Sequence, residues 1–475
     1  MKRFHPIARY SLVLLVLFTV TVSLLQSQNS NRPRRIAVFG SSVANGTGDE
    51  FSKEGYTGLL RELLSARGWE VLNQSRGGDT TKTMAPRFAP QGTPDPNVRY
   101  LLPVNPGYVV IGLSLANEGV SEAKTTADKE AIFKQYADGI KGFIDRSRQN
   151  NIVPIVGLVY PRMVYTSVDY EYVRKMNLLQ NTWDVPTVNY LGATDDGNGR
   201  YAKGFDFDDK HPNAAGHREF FYAFVPSLFD ALEKGKPTPT APTGARGFAR
   251  VSEGVAPLRF DTQDTMHSFA LSFFVRAQTD GTIAAISGST LTGKSEAKKG
   301  GRGGTVEFES MTLTPERPFN EAVSVQNGKF TYRSANGTVV RSDAAADSRW
   351  HHVAVSHYTA RGETLFYIDG KLAGKIEERL QPKGFVVGGP GSADNGAAPK
   401  QADYRDVFLF RSALNSDEVA ALHDGKVLQA SLEIYAPLND AQFRQDMAVE
   451  NRAQSLTAFK VGAGRIAHVA ESSVR

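Results

Sequence analysis

The fold of the first half of the chain follows from RIAVFGSSVANG at residues 35–46. Its apolar run Ile36–Phe39 has the length of a buried strand, and a Gly-Ser-Ser turn follows at once. Similar runs at Tyr108–Leu113 and Ile152–Val159 alternate with helical stretches at Tyr56–Ala66 and Glu130–Arg148. Strands that alternate with helices predict a parallel sheet covered by helices.

A site is expected where the first of these strands ends. Open parallel sheets bind ligands outside the carboxyl ends of their strands, and the turn at 40–42 occupies such an end. A serine there can be exposed close to helix amides. Local sequence does not distinguish Ser41 from Ser42, and a plain connection would use the same residue types.

A histidine segment, DDKHPNAAGH at 208–217, offers a base. Asp208 precedes His211 by three residues, so one turn can bring the carboxylate to the imidazole and fix its tautomer. A surface cap with an exposed loop histidine would show the same pattern. His217 lies early in a helix predicted from Asn213 to Leu232, and we expect it to be structural.

Two further segments, SRGGDTT at 75–81 and LANEG at 115–119, offer amide donors. Gly78 would let the backbone approach a substrate, and the Asn117 side chain follows a strand and would reach the same crevice. Both residues also fit ordinary turns. The four segments together supply a nucleophile, a base and oxyanion donors, which is what acyl transfer to a serine requires. They predict a hydrolase within residues 35–235.

These segments, in this order, resemble the SGNH or GDSL hydrolase family over about residues 35–232. The family's serine, glycine, asparagine and Asp-x-x-His pair fall on Ser42, Gly78, Asn117, Asp208 and His211. The resemblance implies a flavodoxin-like three-layer α/β fold. It implies that Ser42 attacks an ester carbonyl, that His211 accepts its proton and that Asp208 orients His211. It further implies an oxyanion hole made by the Ser42 and Gly78 amides and the Asn117 side chain, with no metal or organic cofactor.

Three positions depart from the family pattern. Ser41 stands where the family has aspartate, and Leu115 and Glu118 replace the glycine and aspartate around the asparagine. None of these changes removes an atom that performs the reaction. They leave one alternative from another functional class: a non-catalytic glycan-binding or surface-adhesion protein with a degenerate hydrolase domain.

The sequence changes character at KGKPTPTAPTG, residues 234–244, where a stiff proline-threonine stretch ends the helical pattern. We therefore predict a hydrolase domain at 33–234, a linker at 235–244 and a second domain at 245–475. Short alternating strands dominate the second domain, including those at 268–277, 329–334, 350–358 and 364–376. One helix is predicted at Ser416–His423, capped by Asn415 or Ser416. This pattern predicts an antiparallel sandwich.

The segments Trp350–Val355, Phe366–Lys371 and Asp406–Asn415 resemble laminin-G-like, concanavalin A-type jelly rolls. The resemblance implies an all-β jelly roll that either binds glycans or serves as a spacer. Whether it would bind glycan or calcium is not determined by the sequence.

The first 28 residues predict an export signal. Lys2, Arg3 and Arg9 precede an uncharged apolar run at Tyr10–Leu25. Its 16 residues are short for a spanning helix, which needs about 20, yet an uncleaved membrane anchor stays open. We expect a secreted, periplasmic or cell-surface protein, attached to a membrane if the signal is not cleaved. With no cysteine, disulfides and thiolate metal sites are excluded.

The net charge of +5 includes three units from the signal segment, so no nucleic-acid partner is predicted. The expected partner is an ester substrate, and an acylated glycan is the preferred candidate. The sequence thus predicts an exported serine esterase that removes acyl or acetyl groups from carbohydrate. It does not determine the acyl group, the alcohol or the oligomeric state.

Overall fold

The computed structural model describes residues 32–242, 247–252, 258–292, 297–298, 305–306, 312–313, 317–390, 397–439, 449–461 and 467–470. The predicted signal segment at 1–28 and part of the predicted linker lie outside these residues. Within the described ranges, no helix has the length and apolar character needed to cross a membrane.

A five-stranded parallel sheet forms the centre of the first domain. Its strands are β1 Arg35–Gly40, β2 Glu70–Asn73, β3 Tyr108–Gly112, β4 Val153–Gly157 and β5 Thr187–Val188. They lie in the order β2-β1-β3-β4-β5, and every neighbouring pair is parallel. This is the flavodoxin-like order, in which successive strands are added first on one side of β1 and then on the other, so that the strand order reverses between β1 and β3.

Helices cover both faces of this sheet. They are α1 Ser42–Asn45, α2 Gly55–Ser65, α3 Thr81–Met84, α4 Thr126–Gln149, α5 Ser167–Gln180, α6 Tyr190–Thr194, α7 Ala214–Tyr222 and α8 Leu228–Glu233. Alternate residues of β1 enter different cores: Ile36 and Val38 pack with α2, α7 and α8, whereas Ala37 and Phe39 pack with α4 and α5. Period-2 alternation in a strand that is apolar throughout produces these two cores. The predicted three-layer α/β fold is confirmed.

One predicted element is wrong. The single helix expected from Asn213 to Leu232 is two helices, α7 and α8, with residues 223–227 between them. Pro226 lies in that gap. Proline lacks a backbone N–H and disfavours helical geometry at the residue before it, so the helix cannot continue through this point.

The second domain is built from antiparallel strands. They are β6 Gly247–Ser252, β7 Leu258–Asp261, β8 Phe269–Ala277, β9 Gly281–Thr292, β10 Ala297–Lys298, β11 Thr305–Val306, β12 Thr312–Leu313, β13 Arg317–Gln326, β14 Lys329–Arg333, β15 Val339–Ala345, β16 His351–Tyr358, β17 Glu363–Ile368, β18 Lys371–Glu377, β19 Leu380–Val387, β20 Gln401–Phe410, β21 Leu432–Ala436, β22 Phe459–Val461 and β23 Ala467–Ala470. Two eight-stranded sheets run β15-β14-β13-β9-β19-β7-β22, with β12 beside β9, and β18-β17-β16-β8-β20-β6-β23, with β21 beside β20.

An apolar core lies between these two sheets. Phe269 and Phe273 of β8 share it with Phe385 of β19 from the other sheet. The predicted antiparallel sandwich is confirmed. Among the described residues, no group of three or more histidine, aspartate or glutamate side chains could hold a metal ion.

The sandwich carries one helix among its described residues, α9 Ser416–His423. Asn415, rather than Ser416, caps it: the Asn415 side chain accepts hydrogen bonds from the amides of Asp417 and Glu418. The Glu418 side chain in turn accepts from the Asn415 amide at 2.9 Å. This reciprocal capping box fixes the start of the helix.

The sandwich covers the β5 edge of the parallel sheet. The Ser431 amide donates to the Thr187 carbonyl at 2.8 Å, and the Asn189 amide donates to Ser431 Oγ at 2.9 Å. An uncovered strand edge presents unpaired amides and carbonyls that recruit other chains. The second domain therefore completes the first by satisfying this edge.

A buried carboxyl group lies in the same interface. Glu418 Oε1 accepts hydrogen bonds from the side-chain amides of Asn181 at 3.3 Å and Asn189 at 3.2 Å. Burial raises the pKa of Glu418 to about 8, although the hydrogen bonds from the Asn415 amide and the Asn189 side chain oppose the shift. The folded protein consequently holds a proton on Glu418 at pH values where the unfolded chain has released it.

We predict that the Glu418→Gln variant loses less stability than the parent protein as the pH rises from 5 to 8. A pKa raised on folding stabilises the native state below the ordinary carboxyl pKa, and this contribution disappears as the pH approaches about 8. The difference in unfolding free energy, variant minus parent, should therefore rise by a few kcal/mol, as an order of magnitude, between pH 5 and pH 8. Urea unfolding at both pH values measures it.

The control is Glu377→Gln, because Glu377 is exposed on β18. Its difference from the parent should not change with pH. A Glu418→Gln difference that is equally constant would contradict the buried, protonated carboxyl.

Candidate active site

The turn after β1 lies in close backbone contact with β3. A Cβ added to Gly40 would lie 1.9 Å from the Gly112 carbonyl oxygen and 2.9 Å from the Ala44 Cβ. The Ser41 amide donates to that same carbonyl at 3.1 Å. Only glycine allows this approach, which places Ser42 at the carboxyl edge of the sheet as the first residue of α1.

Ser42, His211 and Asp208 form one hydrogen-bonded chain. Ser42 Oγ lies 2.9 Å from His211 Nε2, and His211 Nδ1 lies 2.9 Å from each Asp208 carboxylate oxygen. The Asp208 carboxylate also accepts from the amides of Lys210 at 2.8 Å and His211 at 2.9 Å. The three-residue spacing thus forms one tight turn that points the imidazole at Ser42.

The same contacts fix the charge on Asp208. Partial burial alone would raise its pKa, but the bonds from the His211 side chain and from the Lys210 and His211 amides outweigh burial and hold the pKa below its ordinary value. An ionised carboxylate accepts the Nδ1 proton of His211. Nε2 is then free to accept from the Ser42 hydroxyl.

The structure distinguishes the two adjacent serines. Ser41 is fully buried, and its Oγ accepts a hydrogen bond from Asn117 Nδ2 at 2.8 Å. Ser42 is partly exposed and faces His211. Only Ser42 therefore combines a base with access from solvent.

Asn117 lies in a 3₁₀ turn, Leu115–Glu118, that follows β3. Leu115 is buried in the core beneath the turn. Glu118 Oε1 accepts from the Thr81 amide at 2.5 Å, and its Oε2 accepts from Gln135 Nε2 at 2.6 Å. Glu118 thus ties the Asn117 turn to the first residue of α3.

Gly78 belongs to the loop that leads into α3. Its φ of +80° is a left-handed conformation that suits glycine. The neighbouring Asp79 is buried and pairs with Arg76 at 2.6 Å and with Arg87. A Cβ at Gly77 would lie 3.8 Å from the Ser42 Cβ, so this loop passes beside Ser42.

Two residues near Asn117 were not predicted from the sequence. Arg162 Nη2 donates to Asn117 Oδ1 at 3.2 Å, and the Tyr160 hydroxyl lies 3.5 Å from the same oxygen. Both follow β4, so they reach the same sheet edge as the segments after β1 and β3. Their position just after a predicted strand could have identified them from the sequence, since the carboxyl ends of parallel strands meet at one edge of the sheet.

His217 lies behind the site. Its Nδ1 accepts from the Tyr56 amide at 3.4 Å, and its Nε2 donates to the Thr47 carbonyl at 3.0 Å. Burial lowers the pKa of His217 to about 4, which keeps the ring neutral. These contacts fit the structural role expected for it.

We predict that alanine at Gly40 and at Gly78 destabilises the protein for different reasons. Gly40→Ala creates a clash with backbone and should cost about 3 kcal/mol or more. Gly78→Ala meets open space and should cost only the left-handed strain of about 1 to 2 kcal/mol. Urea unfolding of both variants measures the two costs. Equal costs, or a larger one at Gly78, would contradict the close approach of β1 to β3.

Two family models match separate parts of the chain. Residues 38–219 match the model of the GDSL-like lipase/acylhydrolase family, and residues 255–420 match that of the concanavalin A-like lectin/glucanases superfamily. No curated protein shows significant similarity to the chain.

Three similar solved structures each cover less than half of the chain. A GDSL-like lipase from Bacteroides thetaiotaomicron is 15% identical over 44% of this chain and 95% of its own, with a TM-score of 0.31. A catalytic mutant of an acetylxylan esterase from Geobacillus stearothermophilus is 15% identical over 42% and 94%, with a TM-score of 0.30. A SAP-like pentraxin from Limulus polyphemus is 11% identical over 48% and 96%, with a TM-score of 0.28.

The fold and the two family matches lead to one identification. The chain carries a GDSL-like lipase/acylhydrolase domain, followed by a concanavalin A-like domain.

Proposed function

We propose that the first domain is a serine esterase with Ser42 as nucleophile, His211 as general base and Asp208 as the group that orients His211. The observation that carries the proposal is the hydrogen-bonded chain from Ser42 Oγ through the imidazole to the Asp208 carboxylate, with 2.9 Å at each link. Contacts of this length meet the requirement for an activated nucleophile.

The reaction would proceed in two halves. Ser42 Oγ attacks the ester carbonyl while His211 Nε2 takes its proton, and a tetrahedral intermediate forms. His211 then gives that proton to the alcohol oxygen as the carbon–oxygen bond to the alcohol breaks, which leaves an acyl-serine. Water, activated by His211, attacks the acyl group, and free carboxylic acid leaves as Ser42 recovers its proton.

The proposed oxyanion hole consists of the Ser42 and Gly78 amides and Asn117 Nδ2. An asparagine amide nitrogen carries two hydrogens. One is donated to Ser41 Oγ at 2.8 Å, so the other can meet a developing oxyanion. Donors fixed before the reaction begins stabilise the transition state without a reorganisation cost.

The departures from the family pattern are compatible with activity. Ser41 accepts a hydrogen bond from Asn117, Leu115 fills the core, and Glu118 joins the Asn117 turn to α3. Each replacement has a structural use around the proposed hole. This supports an enzyme over a degenerate domain that binds without catalysis.

The proposed substrate is an acyl or acetyl ester on a carbohydrate, and the proposed location is outside the cytoplasm. The substrate class rests on the attached concanavalin A-like domain. The location rests on the sequence of residues 1–28, a signal that is either cleaved or kept as an anchor.

We predict that the chain from Asn29 onward hydrolyses 4-nitrophenyl acetate, and that Ser42→Ala and His211→Ala lose this activity. Removal of a nucleophile or its base lowers kcat by up to about 10⁶-fold. Ser41→Ala keeps the nucleophile and its base but removes the acceptor for Asn117 Nδ2, so it should lose far less activity than Ser42→Ala. Nitrophenolate release measures each rate, with circular dichroism as the check on folding.

Ser41→Ala is the matched control, because it deletes a hydroxyl one residue away. If the folded parent protein has no activity, or if all variants are equally active, the esterase proposal is contradicted and the glycan-binding alternative is favoured. Retention of the protein on insoluble polysaccharide would then be the next measurement.

We further predict acetate release from acetylated oligosaccharides by the parent and none by Ser42→Ala. Acetate is measured enzymatically over time. Hydrolysis of 4-nitrophenyl acetate without any release from acetylated sugars would keep the esterase and exclude the carbohydrate substrate.

A further inference from the structure

Arg162 lies behind the proposed oxyanion donor. It follows β4, its side chain is almost fully buried at 6% exposure, and its Nη2 donates to Asn117 Oδ1 at 3.2 Å. Its backbone amide donates to the Gly199 carbonyl at 3.0 Å. The guanidinium is therefore held against the asparagine from the side opposite Ser41.

The charge on Arg162 is not neutralised locally. Among the described residues, no carboxylate lies within 4 Å of its nitrogens, and its Nε has no hydrogen-bond partner. Burial disfavours its charged form, but the neighbouring tyrosines 160, 165 and 201 outweigh burial and raise the pKa of Arg162. A buried cation without a counter-ion is costly, and such costs are concentrated at functional sites.

The contacts around Asn117 determine which way its amide points. Ser114 donates its amide to Asn117 Oδ1 at 3.3 Å, and Arg162 donates to the same atom. Two N–H donors require an oxygen there. Nδ2 must then face Ser41, next to Ser42.

We propose that Arg162 is a positioning residue for ester hydrolysis, which holds the Asn117 amide with Nδ2 toward the oxyanion and strengthens it as a donor. A charged donor on Oδ1 makes a stronger bond than a neutral one and draws electron density from the amide. In a site with little water, that charge also favours the negative oxygen of the intermediate. This inference rests on the esterase function proposed above.

The decisive experiment is a double-mutant cycle in the protein from Asn29 onward, with both domains present. Arg162→Met should lower kcat for 4-nitrophenyl acetate by about 10- to 100-fold with KM within about twofold, because one oxyanion-hole donor contributes about 10²- to 10³-fold. With Asn117→Ala already present, Arg162→Met should change kcat by less than about twofold, because the group it acts through is gone. Arg162→Lys, which keeps a charged donor, should recover part of the rate.

Arg259→Met is the matched control. Arg259 is exposed on β7 of the second domain, and its side chain pairs with Asp261 at 3.2 Å. It should leave kcat unchanged. Thermal unfolding of each variant identifies any loss of structure, and Arg162→Gln, which also removes the charge, replaces Arg162→Met in the cycle if the methionine variant does not fold.

Three results would overturn the inference. The first is an effect of Arg162→Met that is equally large with and without Asn117. The second is a rise in KM at constant kcat, which would make Arg162 a substrate contact. The third is no effect on either constant. A parent that lacks activity, or a fully active Ser42→Ala, would instead reject the proposed function itself.

Discussion

The first domain depends on how closely β1 and β3 approach at their carboxyl ends. Gly40 lies opposite Gly112 in the register, and the Ser41 amide binds the Gly112 carbonyl. This contact sets the separation between the turn that carries Ser42 and the turn that carries Asn117. With a larger side chain at Gly40, the strands could not keep this spacing, and the Ser41–Asn117 bond of 2.8 Å would be lost.

A second constraint fixes the position of His211, which lies near the end of the first domain in the sequence. The Asp208 to His211 turn is held by a bridge between Asp206 and Pro212 and by the Phe207 amide on the His211 carbonyl at 2.9 Å. The Met163 amide donates to the Asp209 carbonyl at 3.1 Å. The loop therefore rests on the segment after β4, which is also the segment that carries Arg162.

The concanavalin A-like domain reaches this framework through the loop at 195–201. Asp195 is buried, accepts from the Tyr170 hydroxyl at 2.6 Å and from the Gly199 amide at 2.8 Å, and burial raises its pKa to about 6. Arg361 of the sandwich lies against Gly197 of the same loop, 2.7 Å from where a Cβ would stand. Gly199 in turn binds the Arg162 amide. The second domain thus supports the loop that holds Arg162, besides covering the β5 edge.

The sequence by itself determined both fold classes, because period-2 and helical patterns report which faces are buried. It also predicted the Asp208 to His211 turn, since that contact spans three residues. It could not separate Ser41 from Ser42, because the distinction depends on Asn117 and His211 from distant segments. It did not reveal Arg162, whose partner Asn117 lies 45 residues away in the chain. Nor did it reveal the interface around Glu418, whose partner Asn189 lies 229 residues away. Only the tertiary structure decided these, because long-range hydrogen bonds follow from strand order and domain packing, which no local pattern encodes.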